Sequence, residues 1–447
     1  MCNICGIVSE KFRPDSTYWS KMCEYVTKSK SLSDKGCYVL GAGDIYSKEI
    51  SGSRYIVAVD GEIDNKEALK RSLGLKGTVV ETESLSELVL LLYILLGEAC
   101  FKLLKGKFCI VIWDGAEQQL IILRDKVGIN TLFYYYDGIR LVFASEIKGV
   151  LKFPCVKKVL CDDVYCKLFS LAGGKTFGET LFSDVFEIPP GCYVQYKNLK
   201  VIVKSYHMFS IRDAADTYAQ TLCGLKYLCK NNISNNFMYE KTMDKETLKK
   251  NIEMYVKMSD LPSPYMDVKT LSNINSKENY IDPTGVFNAP QRFKLPSVWC
   301  KKQEKEYINE FLSTIPSFKY KDEKDISKKE EVYIKQYLVL PQIVYARRKM
   351  CPNVSFPFLS EDVVEYSLNS LKYAKKIVRD SNFVKQKKNK ENYKNIKALF
   401  YEMVLSKNVM SGLVEREELL KFVRLFPRPE TMLYLLQVDV WLNMFLQ

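Results

Sequence analysis

Histidine is all but absent: the 447 residues hold one, His207. That excludes His-rich metal sites and argues against a Ser–His–Asp triad. Long apolar runs are missing too. The longest, Leu88–Leu96, has nine residues, against the ~20 needed to span a bilayer, so no membrane span is expected. The first residues include charged Glu10, Lys11 and Arg13 and show no signal-peptide core. Cysteine is not scarce, at fourteen, but its spacing builds no regular disulfide framework. The thiols therefore read as reduced, cytoplasmic and in many cases core-filling. Cys2-x-x-Cys5 has no second close pair to complete a four-ligand zinc site, so no metal is expected. Acids are in deficit, with 53 Asp and Glu against 66 Lys and Arg, a formal net charge of +13. An anionic partner would fit; a lysine-rich solvated surface is the plainer reading.

The length suggests two or three domains, with room for two cores. The organising stretch is Lys107–Lys148, which reads as four short strands at 107–113, 119–124, 131–136 and 139–144. Asp114-Gly115 and Asp137-Gly138 are hairpin dipeptides, because glycine tolerates the positive φ of tight turns. The first two strands are apolar on both faces, so the sheet is covered on both sides. Ser145-Glu146 has the residues of a helix start. Residues 4–8 and Tyr55–Val59 are further strands. Helix 84–96 presents Leu85, Leu88, Val89, Leu92 and Leu96 on one face, as a covering helix does.

Arg124-Asp125-Lys126-Val127-Gly128-Ile129, Leu132-Phe133-Tyr134 and Phe143-Ala144-Ser145-Glu146-Ile147-Lys148 resemble, in order and spacing, the "RDR-x-GI…LYY…FASEIK" run of class II glutamine amidotransferases. The asparagine synthetase branch fits best, and the domain-containing relatives of those synthetases are nearest in pattern. The resemblance implies an N-terminal four-layer α-β-β-α Ntn-hydrolase sandwich over 1–207 (core 2–150, connecting segment 151–207). A reduced, largely helical synthetase-like domain follows over 208–447.

The resemblance also assigns roles. Met1-Cys2-Asn3-Ile4-Cys5-Gly6-Ile7-Val8 is similar to the family's "MCGIxGI" start and puts Cys2 on the nucleophile. Once Met1 is removed, thiol and α-amine sit on one residue. The amine, with a reference pKa of about 7.7–8.0, can serve as the base, and no histidine is needed. A frayed terminus leading into strand 4–8 is the purely structural alternative. Asp60-Gly61-Glu62-Ile63-Asp64-Asn65 resembles "NGEIYN", whose Asn side chain and Gly N–H form the oxyanion hole. Here the amide is Asp60, and an ionised carboxylate accepts hydrogen bonds but donates none. Read structurally, Asp60-Gly61 is a turn after a buried strand.

Ser33-Asp34-Lys35-Gly36-Cys37 is taken as the place of "HRGPD". The arginine that holds the glutamine carboxylate belongs between Cys37 and Ser53, where no arginine occurs; Arg54 is nearest and points elsewhere. The acid that binds the glutamine amine, in "SD-x-E", is placed on Glu81, with Glu83 at the helix start.

Ala172-Gly173-Gly174-Lys175-Thr176 fails the Walker spacing, which would need glycine at Phe169, and reads as a connection. Glu187-Ile188-Pro189-Pro190-Gly191-Cys192 resembles "LPPGH" and forms a turn before the strand Tyr193–Tyr196. His207 is expected to pack at a seam. Beyond it, the family's "SGG-x-DS" nucleotide loop and "SGEGADE" motif do not occur, and 240 residues (447 − 207) are few for a synthetase half. The expectation is no ATP or Mg site and no other cofactor. Residues 229–289 are rich in Lys, Asn, Ser and Met, with Asn231–Asn236 a loop. Tyr337–Leu340 and Phe356–Glu365 again resemble the family, and helices are expected at 330–347, 361–370, 392–406, 415–424 and 429–445. Lys372–Lys397 holds ten basic residues against two acids; an anionic partner is set against a solvated face.

The reading is a divergent asparagine synthetase-like protein in which glutamine is the substrate of the first domain and the ligase step is lost. The alternative is an inactive scaffold that binds a partner through its basic face. A homodimer is left open.

Overall fold

The computed structural model describes residues 4–9, 30–41, 44–161, 164, 168, 178–209, 220, 241–259, 262, 268–272, 280–281, 354–355, 360–369, 389–406, 414–425 and 429–445. The chain divides into two compact units. The first is Met1–Asp162 with Phe177–Phe209, and the second is Asp163–Thr176 with Ser210–Gln447.

Two six-stranded antiparallel sheets form the first unit. Its strands are β1 (Ile4–Ser9), β2 (Lys30–Asp34), β3 (Cys37–Gly41), β4 (Asp44–Ile50), β5 (Ser53–Ile63), β6 (Gly106–Asp114), β7 (Gln119–Arg124), β8 (Phe133–Tyr136), β9 (Arg140–Ala144), β10 (Val185–Glu187), β11 (Cys192–Lys197) and β12 (Lys200–Ser205). One sheet runs β10-β8-β9-β1-β3-β2 and the other β12-β11-β7-β6-β5-β4. Side chains alternate between faces along each strand, and the two sheets use this to share a core. Ile4 and Val8 of β1 meet Ile56 and Ala58 of β5 and Cys109 and Val111 of β6. The intervening Val57, Val59, Ile110 and Ile112 face the opposite way, onto helices α1 (Lys66–Leu75) and α2 (Leu85–Leu96). Burying each such aliphatic side chain stabilises the fold by roughly 1.5–3 kcal/mol. Cys5 and Ile7, on the outer face of β1, are buried too, so the first sheet is also covered on both sides. Helix α3 (Ile147–Leu151) packs against β8 and β9.

The covering helix and the seven strands read from residue patterns (β1, β5, β6, β7, β8, β9 and β11) fall where those patterns place them; β2, β3, β4, β10 and β12 are additional. The turns and caps differ in instructive ways. Asp60-Gly61 is not a turn after a strand: β5 runs through both to Ile63, pairing with β6 as far as Ile63↔Gly106. Gly61 makes this possible by adopting φ +124, where an added Cβ would lie 2.0 Å from Lys107 O. Ser145 does not cap a helix, and α3 begins two residues later with no side-chain cap. After Asp114 the positive φ falls on Gln118, at +49, not on Gly115. Asp114 holds that turn by accepting from the N–H groups of Ala116 and Glu117. The segment Ser33–Cys37 is a hairpin joining β2 to β3, with Lys35 and Gly36 at φ +43 and +89.

In the second unit, α4 (Lys245–Ser259), α5 (Val268–Ser272), α6 (Glu361–Asn369), α7 (Lys390–Leu405), α8 (Arg416–Leu425) and α9 (Pro429–Phe445) are the described helices, with a short parallel pair of Tyr280–Ile281 and Val354–Ser355. Helix α4 lies in the stretch read from composition as Lys- and Asn-rich. Its buried Leu248, Ile252, Tyr255 and Val256 form one helical face, and it packs against α7 and α9. Asn392, fully buried, joins α7 to the segment before α4 by accepting from Met243 N–H at 2.7 Å and donating to Lys241 O at 2.8 Å. The expected helix 330–347, the loop Asn231–Asn236, the segment Ala172–Thr176 and residues 372–388 of the basic stretch lie outside the described residues.

Candidate functional site

The site is built by the loop that leaves β7. Arg124 is 1% exposed. Its guanidinium donates to Asn130 O at 2.6 Å, Gly128 O at 2.8 Å, Ile188 O at 2.6 Å and the Glu187 carboxylate at 2.8 Å. Asp125, fully buried, accepts from the backbone N–H groups of Val127, Gly128, Ile129 and Asn130 at 2.7–3.1 Å. Burial pushes its carboxyl above the ordinary carboxylate range, against the pull of those N–H groups and of Arg124. The Arg-Asp pair therefore shapes backbone. What it delivers are Asn130 and Thr131.

A chain of hydrogen bonds then runs from the first sheet to the second. Ile4 N–H donates to Ser145 Oγ at 3.3 Å, and Ser145 N–H donates to Ile4 O at 2.8 Å. Thr131 Oγ1 donates to Ser145 O at 2.8 Å. Its neighbour Asn130 donates through Nδ2 to Asp60 O at 2.8 Å. The leading end of β1 is thereby tied to Asp60 and Gly61. The packing agrees: a methyl on Gly41, the partner of Ile4 in β3, would lie 4.0 Å from Ala58 Cβ. Cys2 itself lies outside the described residues, two positions before β1. Asp60 pairs with Cys109, whose side chain belongs to the inter-sheet core. By strand alternation the Asp60 carboxylate shares that face, on the side of β1.

Past Val59, β5 has no paired strand on its outer side among the described residues, because β4 begins at Asp44, opposite Val59. Asp44 lies in the interval where an arginine is expected. Its carboxylate sits on the N-terminus of α2 and accepts from Ser84 Oγ at 2.6 Å, from Leu85 N–H, and from Ser86 N–H at 3.3 Å. Ser84 is the N-cap, accepting from Glu87 N–H at 3.2 Å. Glu87 is the buried acid of this helix start, accepting from the N–H groups of Glu81 and Thr82 and from the Thr82 hydroxyl. Burial would raise its carboxyl, but these donors outweigh that and hold it below the ordinary range. Ser84-Leu85-Ser86-Glu87 thus forms the helix start, with Ser84 and Glu87 three residues apart. Glu81 is exposed and enters this network through its backbone N–H; Glu83 pairs with Lys70 at 2.9 Å. Arg54 is at the far end of β5 from Gly61.

His207 packs edge-on against Phe209, and burial, with Lys126 nearby, holds its imidazole down to about 4. Its Nε2 is buried with no partner among the described residues. Cys5, Cys37, Cys100, Cys109, Cys155, Cys161 and Cys192 are free thiols. Burial pushes Cys100 and Cys192 up to about 12 and Cys155 up to about 11, so none of these three is poised as a thiolate. In the basic segment, Lys390, Lys394 and Lys397 are exposed on α7, opposite its buried Ile396, Leu399 and Phe400. Among the described residues no cluster of three or more His, Cys, Asp or Glu could hold a metal, and no helix is long and apolar enough to cross a membrane.

Sequence reasoning passed over Asn130, Thr131 and Asp44, and read Ser145 as a helix start. Nothing local marks Asn130 and Thr131, since their partners are distant in the chain. Asp44 was detectable only as an acid standing where a base is expected.

Residues 47–207 match the profile of the glutamine amidotransferase domain. The chain is 26% identical over 187 residues to glutamine-hydrolysing asparagine synthetase 3 of Bacillus subtilis, covering 42% of this chain and 30% of that protein. It is 32% identical over 194 residues to a putative glutamine-hydrolysing asparagine synthetase 2 of Methanocaldococcus jannaschii, covering 42% and 37%. The chain thus spans about a third of the length of these relatives. Among solved structures, the glutamine phosphoribosylpyrophosphate amidotransferase of B. subtilis aligns with a TM-score of 0.36 and 14% identity, over 57% of this chain and 58% of that one.

Proposed function

Residues 47–207 form a class II glutamine amidotransferase domain of the asparagine synthetase family, and from that premise we propose that this chain is a divergent asparagine synthetase-like protein that hydrolyses glutamine slowly and has lost the ATP-dependent ligase step. In this reading the Cys2 thiol, deprotonated by its own α-amine, attacks the glutamine carboxamide carbon. The tetrahedral oxyanion is met by Gly61 N–H, ammonia leaves, and water hydrolyses the thioester to glutamate. The supporting observation is the bonded series Ile4–Ser145–Thr131–Asn130–Asp60, which holds the strand that follows Cys2 against the Asp60-Gly61 end of β5.

The slow rate follows from two changes. Asp60 presents a carboxylate on the face of β1, where a donor is needed. The interval between Cys37 and Ser53 holds no arginine to grip the glutamine carboxylate, and Asp44 within it is committed to the N-terminus of α2. The loss of the ligase step rests on the missing "SGG-x-DS" and "SGEGADE" sequences, so no ATP or Mg is assigned to the second unit. The test is ammonia release from L-glutamine by the purified full chain and by Cys2→Ala. The expected result is a weak rate that the variant abolishes; equal background in both removes the hydrolytic reading.

A further inference from the structure

The Asn130 side chain is 5% exposed and makes bonds outside the regular ladder. Its Nδ2 lies 2.8 Å from Asp60 O and 3.5 Å from Lys107 O, across the β5–β6 pair. The same nitrogen would be 2.7 Å from a Cβ on Gly61. Its backbone is held in turn, since Asn130 N–H donates to Asp125 at 2.9 Å and its carbonyl accepts from Arg124 at 2.6 Å. The amide is thus a fixed strut between the loop and the peptide that joins Asp60 to Gly61.

In a trans peptide the C=O and the following N–H point in opposite directions. Fixing Asp60 O toward Asn130 therefore aims Gly61 N–H away from it. On that side the β4 ladder has ended at Asp44↔Val59, so among the described residues no strand faces it. With φ at +124, Gly61 has none of the steric restraint that would otherwise hold this peptide. The β5–β6 ladder and the strut together supply that restraint from outside the residue.

We infer that Asn130 is the positioning residue of the site: its amide clamps the Asp60 carbonyl and so holds Gly61 N–H toward the side where the β4 ladder has ended, as a preorganised donor. This rests on the proposed hydrolysis, in which that N–H meets the oxyanion. Asn130 touches no reacting atom.

The experiment uses the full chain with Asn130→Ala and Asn130→Asp. Two readouts are taken: ammonia release from L-glutamine, and the amide proton of Gly61 followed by NMR chemical shift and hydrogen exchange. Asn130→Ala is expected to lower kcat at least about tenfold, toward the ~10²–10³ seen when an oxyanion donor is removed outright, with KM within about threefold. Its Gly61 amide should shift and exchange faster. Asn130→Asp should lose activity at neutral pH and recover part of it relative to wild type as pH falls, because only a protonated carboxyl can donate to Asp60 O. Glutamine turnover by wild type with kcat unchanged in Asn130→Ala overturns the inference and leaves the hydrolytic reading intact. A wild-type chain with no turnover overturns the hydrolytic reading, and the Gly61 amide then decides the positioning alone: an unmoved signal in Asn130→Ala overturns it. A variant that fails to fold is recognised by its lost amide dispersion, and Asn130→Asp, of the same shape, then carries both readouts.

Discussion

In the proposed hydrolysis, Asp60 is the residue on which the rate turns. A carboxylate facing a developing oxyanion repels it, where the loss of a neutral donor alone costs about 10²–10³ in rate. Asp60→Asn restores a donor without changing shape. It is expected to raise kcat for ammonia release from glutamine by about tenfold or more; an unchanged rate would show that this side chain does not face the reacting carbonyl. Arg124 acts on stability instead. Its guanidinium joins the ends of three chain segments, and Glu187, 2.8 Å away and 6% exposed, would be left buried and unpaired without it. Arg124→Ala should cost about 3–5 kcal/mol, read from the midpoint of chemical denaturation. Arg124→Lys should recover little, since one ammonium cannot reproduce a planar fork with four acceptors.

Helix α2 shows how far an element can be read from its own residues. Its extent was legible because Leu88, Val89 and Leu92 recur on one face and Gly97 stops it, with φ +57. Its anchoring was not. Ser84 and Glu87 are local, but Asp44, which closes the remaining donors, lies 40 residues earlier, and only the β4–β5 register brings it there. Ser84→Ala is expected to cost about 1 kcal/mol, and Asp44→Ala a similar amount, by loss of N-terminal caps. Thermal melts of the single and double variants would test this; additive losses would mean that the two caps act separately, whereas a coupled loss is expected because Ser84 Oγ donates to Asp44. Helix α4 went unread because its composition is dominated by lysine and asparagine, although four apolar residues keep helical spacing beneath it.

At the scale of the molecule, the single histidine offers a clean pH probe. Burial and Lys126 hold His207 down to about 4 in the fold, against about 6.5 when unfolded. The unfolded chain therefore binds the extra proton first as pH falls. Stability from this group is complete above about pH 6.5 and declines from there toward pH 4. Between pH 6.5 and 5, before most carboxylates titrate, the melting temperature should drop, and His207→Gln should flatten that slope; an equal slope in the variant would assign it elsewhere.

The sequence by itself determined seven of the twelve described strands of the first unit, the covering helix, four of the six described helices of the second unit and the resemblance to class II amidotransferases. Those depend on periodicity and on motifs whose residues are neighbours in the chain. It also showed where the family's pattern is not matched: no arginine between Cys37 and Ser53, an aspartate at position 60, no "SGG-x-DS" loop. The tertiary structure decided what the motifs are for. Arg124 and Asp125 hold backbone, Ser145 ties down β1 in place of capping a helix, and Asn130 reaches 70 residues back to the Asp60 carbonyl. Such pairings join groups distant in sequence, and a hydrogen bond depends on where two atoms lie in space, which only the folded sheets fix.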